Sequence, residues 1–246
     1  MKITVDAAKH MIDTTDGIRL GLESFNLNQL GGRIDIAVDD ISTNRSSLKS
    51  ALDNFTPQHG TPLSESLYEA ALYLRGDPIK FGSNSVAASR TGNTYKSPII
   101  SSCQNISNII LFTDGTPSDD HDVNTLIEEL LDDANIDFDT EPGLTAADRQ
   151  VLSNDCSQDD LGFIEEGSNP GDGTCAEELA YYLANVDQSD LPGKQTIHTH
   201  TIGGFFNEAS DNDTNVLKYM KDIAKYGQGS YAAASSKEEI VASFQN

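Results

Sequence analysis

Apolar and polar positions along the chain follow the helical repeat in some segments and the strand repeat in others. Apolar residues recur at helical spacing over residues 5–12 and 62–74. Residues 18–25 and 33–38 have the pattern of strands, and Gly31-Gly32 between them predicts a hairpin. A continuous apolar run over 106–112 is typical of a strand that is buried on both faces of a parallel sheet.

The same periodicity predicts the remaining elements. Further helices are expected over 46–55, 122–134, 175–186, 216–226 and 237–244, and further strands over 195–202 and 229–233. Residues 76–102 and 135–173 are predicted to be loop-rich insertions, the second exposed and containing Gly, Asp, Asn and Pro throughout. The alternation of strands and helices predicts an α/β fold, a doubly wound and mostly parallel sheet with helices on both faces and one antiparallel edge strand. The length of 246 residues fits a single domain over 1–246.

Charge narrows the range of partners. The chain has 39 acidic and 16 basic residues, which gives a net charge of −23. Such a charge opposes binding to phosphate backbones and excludes nucleic acid as the main partner. No stretch approaches the roughly 20 apolar residues of a membrane helix, and the first residues contain no apolar region of a signal peptide.

The three cysteines leave two interpretations open. Cys156 and Cys175 bracket part of the second insertion, so a disulfide between them could close this loop. Cys103 would then be the third cysteine, outside this pair. Alternatively, all three are unrelated thiols. No CxxC pair or Cys/His cluster indicates a zinc site.

Several motifs in their order along the chain resemble one family. These are "GTPLSESLYEAALYL", "IILFTDGTPSDD", "TIGGF" and the following "LKYMKDIAKYGQGSYAAASSKEEIVASF". Together they resemble the von Willebrand factor A (vWA) domain. The stretches "YKSPIISSCQN" and "CAEELAYYLANVDQSDLPGKQTIHTHTIG" extend the resemblance to the version in PilY/PilC-type proteins of type IV pilus tips. The resemblance covers nearly the whole chain from residue 3 onward.

The resemblance implies a metal-ion-dependent adhesion site whose ligands come from three loops. Thr61 and Asp114 match the family's threonine and aspartate, and their oxygens suit Mg²⁺, or Mn²⁺ or Ca²⁺, with one position open to a partner's carboxylate. The family's DxSxS motif and the strand before it are absent from the chain, so we expect the domain to be N-terminally truncated and cation binding to be weak or absent. The similar stretch at 13–17 follows a helix and precedes a strand, on the opposite rim, so it is not a substitute.

We expect the chain not to be an enzyme, because the resemblance implies adhesion and the sequence has no GxSxG, GxxxxGK(S/T) or strand-linked GxGxxG motif. It is expected outside the cytoplasm, extracellular, periplasmic or associated with the outer membrane and pilus, with a surface ligand, a pilin or a minor pilin as partner. A metal-independent scaffold for pilus assembly is an alternative, and a hydrolase on a doubly wound fold is the runner-up class, because a fold does not determine function. The absence of the DxSxS motif and its preceding strand has three explanations: a truncated reading frame, a boundary set by cloning, or a natural variant that lost the site.

Other polar groups have a functional and a structural interpretation, and we favour the structural one for each. His198 and His200 project from one side of a strand and could share a metal, yet no third ligand is evident. Two stretches have calcium-loop spacing but lack the glycine at position six, and these contain Asp137, Asp139 and Glu141, and Asp211, Asp213 and Asn215. Three further acids at the start of the helix over 122–134 are expected to cap it, and these are Asp119, Asp120 and Asp122.

Overall fold

The protein has the predicted α/β composition, with helices and strands interspersed along the chain. A computed structural model describes residues 2–26, 30–55, 60–156, 172–206, 211–234, 236 and 239. Within this part the helices are Lys2–Thr14 (α1), Ile41–Asp53 (α2), Leu63–Arg75 (α3), Asn124–Asp133 (α4), Ala176–Asn185 (α5) and Asp211–Tyr226 (α6). The strands are Arg19–Phe25 (β1), Gly32–Asp40 (β2), Arg90–Thr91 (β3), Thr94–Tyr95 (β4), Ile106–Thr113 (β5), Thr196–Gly204 (β6) and Gln228–Ala234 (β7). The helix expected over 237–244 lies outside the described residues.

The main sheet has three parallel strands in the order β5, β6, β7. Strand β5 pairs with β6 without interruption from Ile106 opposite Thr196 to Thr113 opposite Gly203. Strands β1 and β2 form the predicted antiparallel hairpin, but the hairpin is a separate sheet and not the edge of the main one. The other edge of β2 is occupied, because Ile34 bonds to Ser85 Oγ and to the Val86 N–H at 2.9 and 2.8 Å.

Local sequence explains where the hairpin turns and where α2 begins. Gly31 has a φ of +57°, and a Cβ at this position would lie 2.4 Å from the Phe81 ring, so only glycine fits there. Helix α2 begins at Ile41, five residues before its predicted start, because the Asp40 side chain accepts the Ser42 N–H at 2.8 Å and caps the helix.

Helices pack on both faces of the parallel sheet. On one face, Leu111 and Ile197 pack into the main core with residues of α3, α4, α5 and α6. On the other face, Ala7 of α1 packs with Phe112, Ile202 and Ala234. Helix α1 also packs against the hairpin and α2, so it joins the two sheets. Each fully buried Leu or Ile contributes roughly 1.5–3 kcal/mol to stability.

The two insertions are less exposed than their composition suggests. The segment 76–102 contains the small hairpin β3–β4, and Tyr95 is buried beside Tyr73. In the second insertion Phe138 and Leu152 are buried in the main core, with the Phe138 ring centroid 5.3 Å from that of Tyr181. The described part of this insertion is therefore not wholly exposed, in contrast to the expectation. Residues 157–171 lie outside the described part.

Candidate functional site

The structure brings Thr61 beside the loop that carries Asp114. Thr61 precedes α3, and Asp114 follows the end of β5. The Thr61 N–H donates to the Ser118 carbonyl at 3.2 Å, and the Ser118 N–H donates to the Thr61 carbonyl at 3.3 Å. Gly115 lies so close to the Thr61 hydroxyl that a Cβ on it would be 3.3 Å from Thr61 Oγ1. The two matched residues therefore lie at the same end of the parallel sheet.

A turn built by Thr113 presents Asp114. The Thr113 hydroxyl accepts the Gly115 N–H at 3.1 Å and donates to the Gly115 carbonyl at 3.0 Å. Thr113 is buried, whereas the residue between the two, Asp114, is exposed. The carboxylate of Asp114 is thereby held at the surface beside the half-buried Thr61.

Asp120 caps α3 from a distant part of the chain. Its carboxylate is fully buried and accepts the N–H groups of Ser64 and Glu65 at 2.8 and 2.9 Å. Pro62 at the cap position makes no side-chain cap bond, so Asp120 satisfies donors that the local sequence does not. Burial raises the pKa of Asp120 well above its usual range.

The expected capping role of the three acids is therefore corrected. Asp120 caps α3 and not the helix that begins next to it. Helix α4 begins at Asn124, and Val123 at its cap position makes no side-chain cap bond. Asp120 points toward α3 because the Ser118–Thr61 pairing lays the loop across the beginning of that helix.

Glu65 forms a second buried connection. Its Oε2 accepts the Gly31 N–H at 2.7 Å and its Oε1 accepts the Asp122 N–H at 3.0 Å. It thus joins α3 to the hairpin turn and to the loop after β5. Burial raises the pKa of Glu65 to about 7, although both hydrogen bonds favour the charged form.

Asp172 reaches the same loop from the second insertion. Its Oδ1 accepts the Asp120 N–H at 2.8 Å and lies 2.9 Å from Nδ1 of His121. The neighbouring carboxylate raises the pKa of His121. Hydrophobic periodicity carries no indication of Asp172, because this residue lies in a polar loop without a repeat.

Thr61 and Asp114 fit a cation only in part. The two supply one hydroxyl and one carboxylate, which is the donor chemistry that Mg²⁺ accepts. No group of three or more His, Cys, Asp or Glu side chains in the described part of the chain could hold a metal ion. The nearby carboxylates of Glu65 and Asp120 already accept backbone N–H groups through both of their oxygens.

The histidine pair on β6 supports the structural interpretation. His200 Nδ1 lies 2.9 Å from Ser230 Oγ, and its Nε2 lies 3.1 Å from Asn108 Oδ1. Both ring nitrogens of His200 thus have protein partners on the flanking strands. Desolvation, with a smaller effect of His198, lowers the pKa of His200.

The acidic stretch at 137–141 is organised by the protein itself. Asp137 Oδ1 accepts the Asp139 N–H at 3.0 Å and its Oδ2 accepts the Thr140 hydroxyl at 2.9 Å. Arg149 donates to three carbonyls of the same loop, those of Asp139, Glu141 and Leu144. A guanidinium therefore satisfies the carbonyl oxygens of this loop. The side chains of Asp211 and Asp213, in the other stretch of this spacing, lie outside the described part.

Of the two interpretations of the cysteines, the structure supports the disulfide between Cys156 and Cys175, and Cys103 is an exposed free thiol. Both bonded cysteines are buried. The Cys156 N–H donates to Glu128 of α4 at 2.8 Å, and its carbonyl accepts the Thr174 hydroxyl at 2.8 Å. The ends of the closed loop are thus held by hydrogen bonds as well as by the covalent bond.

Buried carboxylates are the feature that sequence analysis missed. Four glutamates of two helices are buried, and these are Glu65, Glu69, Glu177 and Glu178. The spacing of Glu65 and Glu69 by four residues on a helix with many apolar positions could have indicated one acidic strip. Their burial could not be inferred, because their partners are N–H groups and, for Glu69, a hydroxyl that lie outside α3.

Comparison with known proteins identifies no relative: no family model, no curated protein and no solved structure matches the chain. Among the described helices, none is both long enough and apolar enough to span a membrane.

Proposed function

We propose that the chain is a vWA-like interaction domain of a pilus-associated, PilY-like protein, and that it acts in adhesion or pilus assembly rather than in catalysis. The observation that supports this proposal most directly is the pairing of Thr61 with the loop of Asp114. These are the two residues that the family resemblance assigns to a cation site. Thr61 and Ser118 lie 57 residues apart in the sequence and meet in the fold, which places Thr61 beside the loop of Asp114, as such a site requires.

In this proposal Thr61 and Asp114 hold a divalent cation together with water. Mg²⁺ keeps several waters in protein sites and can take one more ligand from a partner. The bound cation would supply a positive charge for a carboxylate on the partner. Asp114 would contribute charge at the surface, and Thr61 a neutral oxygen from the beginning of α3. Because the DxSxS ligands are absent from the chain, we expect weak binding.

The fold is compatible with this proposal. A parallel sheet with helices packed on both faces is the type of architecture that the resemblance implies, and ligands bind such sheets beyond the carboxyl ends of their strands. The complete doubly wound arrangement is part of the proposal. The disulfide is compatible with a location outside the cytoplasm, which is also proposed.

Calorimetric titration of Mg²⁺ or Mn²⁺ tests the cation site. We expect a weak binding heat for the unmodified chain, and loss of that heat for Asp114→Ala and Thr61→Ala. Asp133→Ala is the control, because Asp133 is an exposed carboxylate at the end of α4. An unchanged heat for Asp114→Ala, or no heat for the unmodified chain, would contradict the cation site.

A metal-independent scaffold is the second candidate. It is supported by the use of Glu65, Asp120 and Asp172 as acceptors of backbone N–H groups, which makes the carboxylates around the loop structural. Binding to pilin or minor pilin preparations distinguishes the two functions. For a scaffold, binding is insensitive to EDTA and to Asp114→Ala, whereas an adhesion site loses binding with either change.

A further inference from the structure

The residues that lead into the second cysteine contact the loop of the candidate site. We call residues 172–175 the foot of the disulfide. The Asp172 carboxylate accepts the Asp120 N–H at 2.8 Å, and the Gly173 N–H donates to the Asp120 carbonyl at 2.9 Å. Two hydrogen bonds thus hold the backbone of Asp120 from both sides.

The foot also packs tightly against the middle of the loop. Gly173 has a φ of +75°, and a Cβ on it would lie 2.8 Å from the Pro117 side chain. Its carbonyl accepts the hydroxyl of Tyr219, a residue of α6, at 2.9 Å. The foot is therefore held between α6 and the loop, and only a residue without a Cβ allows this close approach to Pro117.

The loop after β5 connects the foot to the candidate site. Ser118 pairs with Thr61 through two backbone hydrogen bonds, and the Asp120 carboxylate caps Ser64 and Glu65. A continuous set of contacts therefore leads from the disulfide through the foot to the beginning of α3.

We propose that the Cys156–Cys175 disulfide is a redox-controlled clamp on this loop. A dithiol reductant would supply two electrons and two protons, so that the S–S bond breaks, two cysteine thiols form and the reductant becomes a disulfide. Loss of the covalent bond lets the foot leave Asp120, and the cap on α3 weakens. The effect of the disulfide on the loop does not depend on the proposed function. Regulation of cation binding by this effect rests on the proposed function.

Residue-resolved amide hydrogen exchange, carried out without added cation, tests whether the disulfide stabilises the loop and the beginning of α3. All samples carry Cys103→Ser. Exchange rates are compared among the oxidised protein, the protein reduced with dithiothreitol, and the double variant Cys156→Ala/Cys175→Ala. In the reduced protein and in the double alanine variant, we expect the amides of Ser64, Glu65 and Gly173 to exchange at least tenfold faster than in the oxidised protein. The amides of Phe81 and Gly82 are the internal control and should be unchanged, because they are held by Glu69 of the same helix and not by the foot.

A second variant separates the foot from the disulfide. Asp172→Ala keeps both cysteines and should accelerate exchange at Ser64 and Glu65 as well. Each of three outcomes would overturn the clamp: equal acceleration at Phe81 and Gly82, unchanged exchange at Ser64 once mass spectrometry counts two new thiols, or no effect of Asp172→Ala. Failure to form thiols at any dithiothreitol concentration that leaves the fold intact overturns the redox control. Because no cation is present, these outcomes are independent of the calorimetric result.

Discussion

The hydroxyl of Tyr95 donates a hydrogen bond of 2.7 Å to Oε1 of Glu69, and both side chains are buried. Tyr95 lies in the first insertion and Glu69 in the middle of α3. The same carboxylate accepts the N–H groups of Phe81 and Gly82 at 2.9 and 3.0 Å. One glutamate of a helix thus organises an insertion that was predicted to be loop-rich.

Tyr95→Phe should destabilise the protein, because it removes this bond and the 3.0 Å hydrogen bond between the Tyr95 hydroxyl and Ser85 Oγ. A hydrogen bond to a charged group contributes about 1.5–3 kcal/mol, and the substitution removes the donor without altering the ring. Urea denaturation should show a loss of this size in the free energy of unfolding. Tyr181→Phe is the matched control, because the bond of Tyr181 to Glu141 is only partly buried, and its loss should cost less than about 1 kcal/mol. Equal effects of the two substitutions would contradict the role of Glu69.

Asp120→Ala should lower stability more than any change to its exposed neighbour Asp114. The substitution leaves the buried N–H groups of Ser64 and Glu65 without their acceptor. We expect a loss of about 2–3 kcal/mol in the free energy of unfolding, against less than about 0.5 kcal/mol for Asp114→Ala. Denaturant titration of both variants checks this. Equal stabilities would show that α3 does not depend on the cap.

Stability should fall as pH rises from 5 to 8, in part through Glu65. Its pKa is about 7 in the folded protein and near 4.5 in the unfolded chain, so the folded state binds more protons between these values. The resulting stabilisation is complete below about pH 4.5, is lost as pH rises toward 7, and amounts to at most about 3 kcal/mol. Burial also raises the pKa values of Glu177 and Glu178, which act in the same direction.

The variant Glu65→Gln isolates this contribution, because glutamine does not titrate. At pH 5 the variant should be less stable than the unmodified protein, because glutamine has one hydrogen-bond acceptor fewer. Between pH 5 and pH 8 its stability should decline less steeply than that of the unmodified protein. Free energies of unfolding at four pH values measure both slopes. Parallel slopes for the variant and the unmodified protein would exclude Glu65 as a source of the pH dependence.

Arg149→Lys should loosen the second insertion without unfolding the domain. The guanidinium donates to three carbonyls of the loop, and a lysine ammonium on its flexible chain does not reproduce this geometry. Limited proteolysis should cut residues 137–150 faster, with little change in Tm. Lys194→Arg, at an exposed position outside this loop, is a control that should not alter the cleavage rate. Unchanged cleavage in Arg149→Lys would show that the loop is held by other contacts.

The sequence pattern predicted most of the described elements. The hairpin, strands β5 and β6, and helices α1, α3 and α5 lie within a few residues of their predicted positions. These features depend on local repeats of apolar residues and on turn glycines, and such signals are complete within a short window of sequence.

Only the tertiary structure decided how the acidic residues are used. The composition indicates a charged surface, whereas Asp120 is buried and accepts the N–H of Ser64, 56 residues before it, in the first turn of α3. The separation of the hairpin from the main sheet, and the proximity of Thr61 to the loop of Asp114, are likewise matters of long-range packing. A buried carboxylate is stable where backbone N–H groups converge on it, and that convergence exists only after distant segments have folded together.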